Sequence, residues 1–325
     1  MNWKTDDEEN VVWYYCNHSV FENIMSNHEL WLSDITQSND SNEIYKTLSL
    51  LESVFYDLSK AQFYEMGETL LNSLASKFRD NVIKVKNLCI WFAMCFSEKK
   101  NSLSQWRTYG ENGKGYAIGF RLQALTDIVK NLEGKCREIK IAKIKYVPPI
   151  IKTNPPKKRV VEMGDARLKF VYESAQGLCT ELSSCGVGLM NEKGQLSEKA
   201  IALIKQYVDR LALQFAFFKD DDFRAENEVR ICYARQITIE KLATPQKDSL
   251  MNSLYFMVKA GEIVPYIKLH IENLQSLINE IIIGPNNTTS ENMLKRYLVR
   301  SGKVQPKNNF ELEGIKVSKS IISCR

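Results

Sequence analysis

Histidine is scarce in this chain: three residues in 325, standing far apart at His18, His28 and His270 with no triad-like spacing. The eight cysteines form no C-x-x-C pair. Together these absences argue against a structural zinc site, which needs His and Cys at short spacing, and no metal is expected. No stretch approaches the roughly 20 apolar residues of a membrane helix. The opening MNWKTDDEEN is polar and acid-rich, unlike the apolar core of a secretory signal. These features lead to the expectation of a cytoplasmic chain with reduced cysteines and no membrane partner. No Gly/Ser- or Pro-rich linker divides the sequence, so residues 1–325 read as a single domain. The nearest candidate, Pro148–Arg159 (PPIIKTNPPKKR), reads as a loop opening a helical insertion over about residues 150–220. A dominant charge is lacking too. The 44 basic and 39 acidic residues leave a net +5, which permits a polyanionic partner without requiring one. The basic cluster Lys157–Arg159 is too short for a nucleic-acid stripe and reads as a solvated loop.

What is present is enough for a sizeable core, since 44% of residues are hydrophobic. VVWYYC (Val11–Cys16) is β-branched and aromatic, a strand pattern. Ser19–Ser26 fits a short helix and Leu30–Ser33 a second strand. Ile44–Lys60 and Ala61–Lys86 carry apolar residues at helical spacing. Leu88–Phe96 (LCIWFAMCF) is almost wholly apolar, as suits a strand buried on both faces, with Cys89 and Cys95 on one of them. A short helix at Leu103–Tyr109 and a strand at Gly115–Phe120 follow. In Cys136–Tyr146 strict alternation predicts a strand with one wet face. Helices near Val160–Leu182 and Leu196–Phe218 come next, then the polar loop FKDDDFRAE and a strand at Glu228–Ala234. A hairpin at Leu254–Lys259 and Ile263–His270, a strand at Ile281–Gly284 and a helix capped by Thr288 or Thr289 complete the reading. Strands separated by irregular helices, with no regular βαβ unit, predict an α+β fold with a mixed, largely antiparallel sheet.

The run CFSEKKNSLSQWRTYGENGKGYAIGF resembles the signature of a bacterial domain-of-unknown-function family, number 2971. WYYCNHSVFENIMSNHELWLSDITQSNDSNE, FKDDDFRAENEVRICY and INEIIIGPNNTTSENMLKRYL agree with it in order and spacing. A second resemblance carries a function. The order of a strand, a helix and an S-D strand, then a strand ending in Phe-Ser, then E-x-E followed by Val, looks like the ADP-ribosyltransferase fold. That likeness implies a split sheet and an NAD-consuming enzyme, with NAD as substrate. The enzyme would transfer ADP-ribose to a macromolecular acceptor (protein or nucleic acid) or hydrolyse NAD, a chemistry that suits a toxin or phage-defence effector.

Carried over position by position, the resemblance places Ser97 at the serine motif and Glu226 and Glu228 at E-x-E. The first-strand position falls to Tyr14 or Tyr15, where His or Arg is expected. Glu228 would stabilise the oxocarbenium-like state at the ribose, and Glu226 would position the nucleophile. The residues themselves allow a plainer reading, in which Glu226, Glu228 and Arg230 form the wet face of a strand. Ser97 would orient the nicotinamide amide or merely begin the turn. Trp106 and Tyr109, three apart on a helix, would wall the pocket or pack in the core. Asn39, Asp40 and Glu43 match the family pattern and fit a helix opening. Two other functions compete: a non-catalytic nucleotide- or protein-binding module of the same fold, and a metal-dependent nuclease using Asp220–Asp222 beside the two glutamates.

Overall fold

The computed structural model describes residues 10–36, 41–133, 139–148, 165–243, 250, 254–259, 261–301, 304–309 and 311–324. Asn39, Asp40, the Glu43 side chain and most of Pro148–Arg159 lie outside that set. The chain begins with β1 (Val11–Cys16), α1 (His18–Asn27) and β2 (Glu29–Asp34). The long helices α2 (Ser41–Phe63) and α3 (Glu68–Leu88) lead into β3 (Cys89–Ser97). Next come α4 (Leu103–Thr108), β4 (Tyr116–Arg121), α5 (Leu122–Glu133), β5 (Ile139–Lys143) and β6 (Lys145–Val147). Two more helices, α6 (Ala166–Ser184) and α7 (Glu198–Phe215), precede β7 (Phe218–Asp220) and β8 (Glu228–Gln236). The last third holds α8 (Ile239–Leu242), β9 (Leu254–Lys259), β10 (Glu262–His270), α9 (Leu274–Leu277), β11 (Ile278–Ile283), α10 (Glu291–Arg300) and β12 (Lys316–Lys319).

Ten strands form one sheet in the order β12-β11-β4-β1-β3-β2-β10-β9, with β8 and then β5 branching from β3. Among the described residues, only the β11–β12 pair in it is parallel. The fold is therefore α+β with a mixed, mostly antiparallel sheet, and the strands predicted at Val11–Cys16, Leu88–Phe96 and Glu228–Ala234 all belong to it. The branch follows from β3. Its whole length pairs with β8, from Cys89 opposite Gln236 to Ser97 opposite Glu228. Its other edge is shared: β2 takes Phe92 and Ala93, while β1 touches only at Trp13 opposite Ser97. β1 and β2 thus part company along one edge of β3.

Among the described residues, two large cores and one smaller cluster around Trp13, Tyr15 and Trp106 flank the sheet. On one face Phe92, Met94, Phe96, Ile118, Phe120 and Ile231 pack under α1, α5 and α10. On the other, Trp91, Ala93, Cys232 and Ala234 pack under α2, α3, α6 and α7, with Phe55 stacked on Phe78 at 4.0 Å. The helices near 160–218 thus share one apolar layer with α2 and α3. Residues 136–138 of the alternating run Cys136–Tyr146 lie outside the described set, and the described part is not one strand. Its chain breaks at Ile144, whose N–H donates to the Glu228 carbonyl (2.9 Å), and residues 145–147 pair in parallel with β7 instead. The cap of α10 is Ser290, one residue past the predicted threonines, its hydroxyl accepting from the Met293 N–H at 3.2 Å. No helix among the described residues is long and apolar enough to cross a membrane.

Candidate active site

Side chains alternate across a strand, and cross-strand partners share a face. Ser97 and Glu228, opposite one another, therefore point to the same side of the sheet as Trp13 and Tyr15. Glu226 does not lie on that strand. It ends a 3₁₀ segment, Asp221–Glu226, and Asn227 turns the chain into β8 with φ 44°. Lys219 nevertheless joins the two carboxylates: its Nζ is 2.7 Å from Glu226 Oε2 and 3.2 Å from Glu228 Oε2, above the Phe223 ring at 4.8 Å. The other oxygen of Glu228 accepts from Nε and Nη2 of Arg230, both at 2.7 Å, and Arg230 Nη1 donates to the Ala216 carbonyl at 2.8 Å.

The expectation of a wet strand face is overturned here. Glu228 is 5% exposed and Arg230 1%. A charge survives such burial only when paired and hydrogen-bonded, and the two carboxylates meet two cations. Burial pushes the Glu228 pKa up, but Arg230 and then Lys219 outweigh it and hold the carboxyl below its ordinary 4.5. Tyr146 accepts the Glu228 N–H at 2.8 Å. Burial raises its phenol to about 12, against the opposing effect of that bond.

Nearest the surface, Tyr109 is 49% exposed and its hydroxyl donates to Glu226 Oε1 at 3.3 Å. Partial burial, and then the Glu226 charge, raise the Tyr109 pKa. Ser97 Oγ donates to the Glu226 carbonyl (2.6 Å) and accepts from the Lys99 N–H (3.1 Å). Ser97, Tyr109, Glu226 and Glu228 thus converge.

The other predicted residues do not join them. Tyr14 packs on the opposite face of the sheet, tilted against Phe96 at 5.9 Å. Neighbours along a strand cannot share a face, so choosing between Tyr14 and Tyr15 meant choosing a side. Tyr15 lies on the right side but is spent on the turn after β3: its hydroxyl donates to the Lys99 carbonyl and accepts from the Ser102 N–H, both at 2.8 Å. Burial raises its pKa to about 12. Trp106 is fully buried, edge-on to Tyr15 at 5.0 Å, with Nε1 donating to Asn101. Core packing is its role.

The glycines of GENGKG are likewise architectural. A Cβ on Gly115 would stand 2.0 Å from the Cys16 carbonyl oxygen, and one on Gly284 2.2 Å from that of Gly113. Asn286 and Asn287 donate to the carbonyls of Asn112 and Lys114, clamping GPNN onto that loop.

Sequence reasoning missed Lys219, hidden in a stretch read as a polar loop, and Arg230 as a buried partner. The acidic run beside them is dispersed. Asp220 lies 3.5 Å from Lys46 and from Arg167, while Asp221 pairs with Arg224. No group of three or more His, Cys, Asp or Glu side chains suited to a metal occurs among the described residues.

One comparison bears on this arrangement. Residues 105–231 match the family model "Protein of unknown function (DUF2971)". The span reaches from Gln105 on α4 to Ile231 on β8, so the DUF2971 match takes in Tyr109, Lys219, Glu226, Glu228 and Arg230. Ser97 and the resembling stretches near both ends of the chain fall outside it. No curated protein and no solved structure matches the chain.

Proposed function

We propose that this chain consumes NAD, breaking the nicotinamide–ribose bond and passing ADP-ribose to a macromolecular acceptor or to water. The observation that carries the reading is the pairing of Ser97 with Glu228 across β3 and β8, on the face that also holds Glu226 and half-exposed Tyr109. In the step itself the C–N bond electrons leave with the nicotinamide nitrogen, which becomes neutral. The ribosyl carbon, left cationic, is captured by an acceptor oxygen or nitrogen, and that nucleophile gives up its proton. Two carboxylates close together suit a developing cation. In the resting arrangement Lys219 holds the place between them. Glu226 is the more accessible of the two, its side chain 23% exposed against 5% for Glu228, which supports its assignment to the nucleophile. Turnover of a central metabolite suits a toxin or a phage-defence effector.

A second reading, a non-catalytic nucleotide- or protein-binding module, is favoured by a different observation. Both oxygens of Glu228 are already engaged by Arg230 and Lys219, and Tyr14 faces away. Nicotinamide release separates the two. Wild type should release it in the presence of a protein or nucleic-acid acceptor, and Glu226→Gln should cut labelled ADP-ribose incorporation by about 10²-fold or more, more than it slows release, with folding checked by melting because buried Lys219 loses a partner carboxylate. Undiminished acceptor labelling by folded Glu226→Gln, or no release from wild type with any acceptor, would replace the enzyme reading by the binding module.

A further inference from the structure

A cleft of about 440 Å³ opens along β5, between α5 on one side and the end of α7 with β7 on the other. Phe218 lines it, while the next residue, Lys219, turns to the carboxylates. Four lysines stand around it, Lys130, Lys140, Lys143 and Lys145, and no Asp or Glu is among its described lining residues. The Lys143 charge is met by Glu98. Lysines commonly blunt the edge of a sheet, and there they hold their ammonium groups out in water. Two of these also lie over aromatic rings. Lys140 Nζ lies over the Phe217 ring at 5.9 Å and donates to Gln214 Oε1 at 3.1 Å; Lys145 Nζ lies 5.7 Å from the Phe218 ring centre. Their charge is directed over an apolar floor formed by Phe170, Phe217 and Phe218.

From this combination we infer that the cleft binds a nucleoside phosphate, its phosphate against Lys130, Lys140 and Lys145 and its base on the phenylalanine floor. Lysine is a standard point-charge partner for phosphate. Aromatic rings accept any base by stacking. The volume lies within the range of about 300–1,000 Å³ usual for small-ligand sites. The inference stands apart from the NAD reading and holds whether or not the carboxylate site turns NAD over.

Calorimetric titration with ADP tests it, with adenosine, pyrophosphate and a single-stranded oligonucleotide as parallel probes at low and high salt. ADP should bind saturably and more weakly at high salt, with adenosine and pyrophosphate each at least about tenfold weaker, 1.4 kcal/mol. The double variant Lys140→Gln/Lys145→Gln should lose at least the same factor, and Lys130→Gln a few-fold. If the double variant melts early, Lys145→Gln alone, at an exposed position, takes its place with the same direction expected. Absence of ADP binding to wild type overturns the inference, as does equal binding by the lysine variants. Pyrophosphate binding as tight as ADP would show the aromatic floor unused, and an oligonucleotide bound where ADP is not would make this a nucleic-acid site; either result also overturns it.

Discussion

Alternate residues of β8 live in two different media. Val229, Ile231 and Tyr233 enter an apolar layer continuous with Phe92, Phe96 and Phe120. Glu228 and Arg230, interleaved with them, are buried to a similar degree but sit among charges. At the Glu228 end of the strand, each face is stabilised by a different term. The apolar one gains in proportion to area removed from water, so losses there are graded. The ionic one depends on closure of its charge balance. Removing one member costs far more than the set as a whole contributes, because the partners are left charged and dry.

The largest effect should come from breaking that balance. Glu228→Gln leaves Lys219 with Glu226 and takes the Glu228 carboxylate from Arg230, and should destabilise the fold by about 3–5 kcal/mol in urea unfolding. A cost no greater than that of a surface substitution would erase the distinction between the faces. The Gln variant thus cannot be treated as a silent isostere, and any loss of NAD turnover in it must be read beside its melting.

A second expectation sharpens the contrast through pH. Glu228 is held below 4.5 in the fold. A carboxyl depressed in this way adds stability that is fully present above its unfolded-state value and is lost as pH falls through the folded one. The stability gap between wild type and Glu228→Gln should therefore stay constant down to about pH 5 and narrow below it. A gap that widened in acid would contradict the ion-pair account.

On the apolar face, Ile231→Val removes one methylene group and should cost about 0.5–1.5 kcal/mol, with no such pH dependence. The smallest effect is expected nearest the surface. Tyr109→Phe gives up one 3.3 Å bond from a half-exposed hydroxyl, and its unfolding free energy should stay within about 0.5 kcal/mol of wild type.

Strands were legible wherever composition forced them. LCIWFAMCF could only be buried on both sides, and its Cys89–Ser97 bounds differ from the predicted ones by one residue at each end. The helix Leu122–Glu133 carries apolar spacing at Leu122, Leu125 and Val129, but strand signals on either side mask it. β12, four residues of KVSK, is too short and polar to announce itself. At the site, the Ser97–Glu228 meeting was reachable from motif order alone. The burial of Glu228 was not, because alternation reports that two faces differ and says nothing of what covers each. Lys219 belonged to a stretch whose three aspartates signalled solvent; only its position opposite β6 shows it enclosed.

The clamp between GENGKG and GPNN has a consequence in time. Strand β4 is completed early in synthesis, but its neighbour β11 and the asparagines that fasten it come much later. The bond from Asn287 to Gly115 spans 172 residues, and that from Ser320 to Asn101 spans 219. Contacts this far apart in sequence close slowly and at an entropic cost. The helix pair α2–α3 has no such delay, because its partners are adjacent in the chain. At ordinary synthesis rates β4 waits on the order of ten to thirty seconds for its neighbour. For that interval it presents one unpaired edge, with Ile118 and Phe120 still uncovered by α10. An edge left open in this way can mispair with another copy, and it is one that a chaperone would shield.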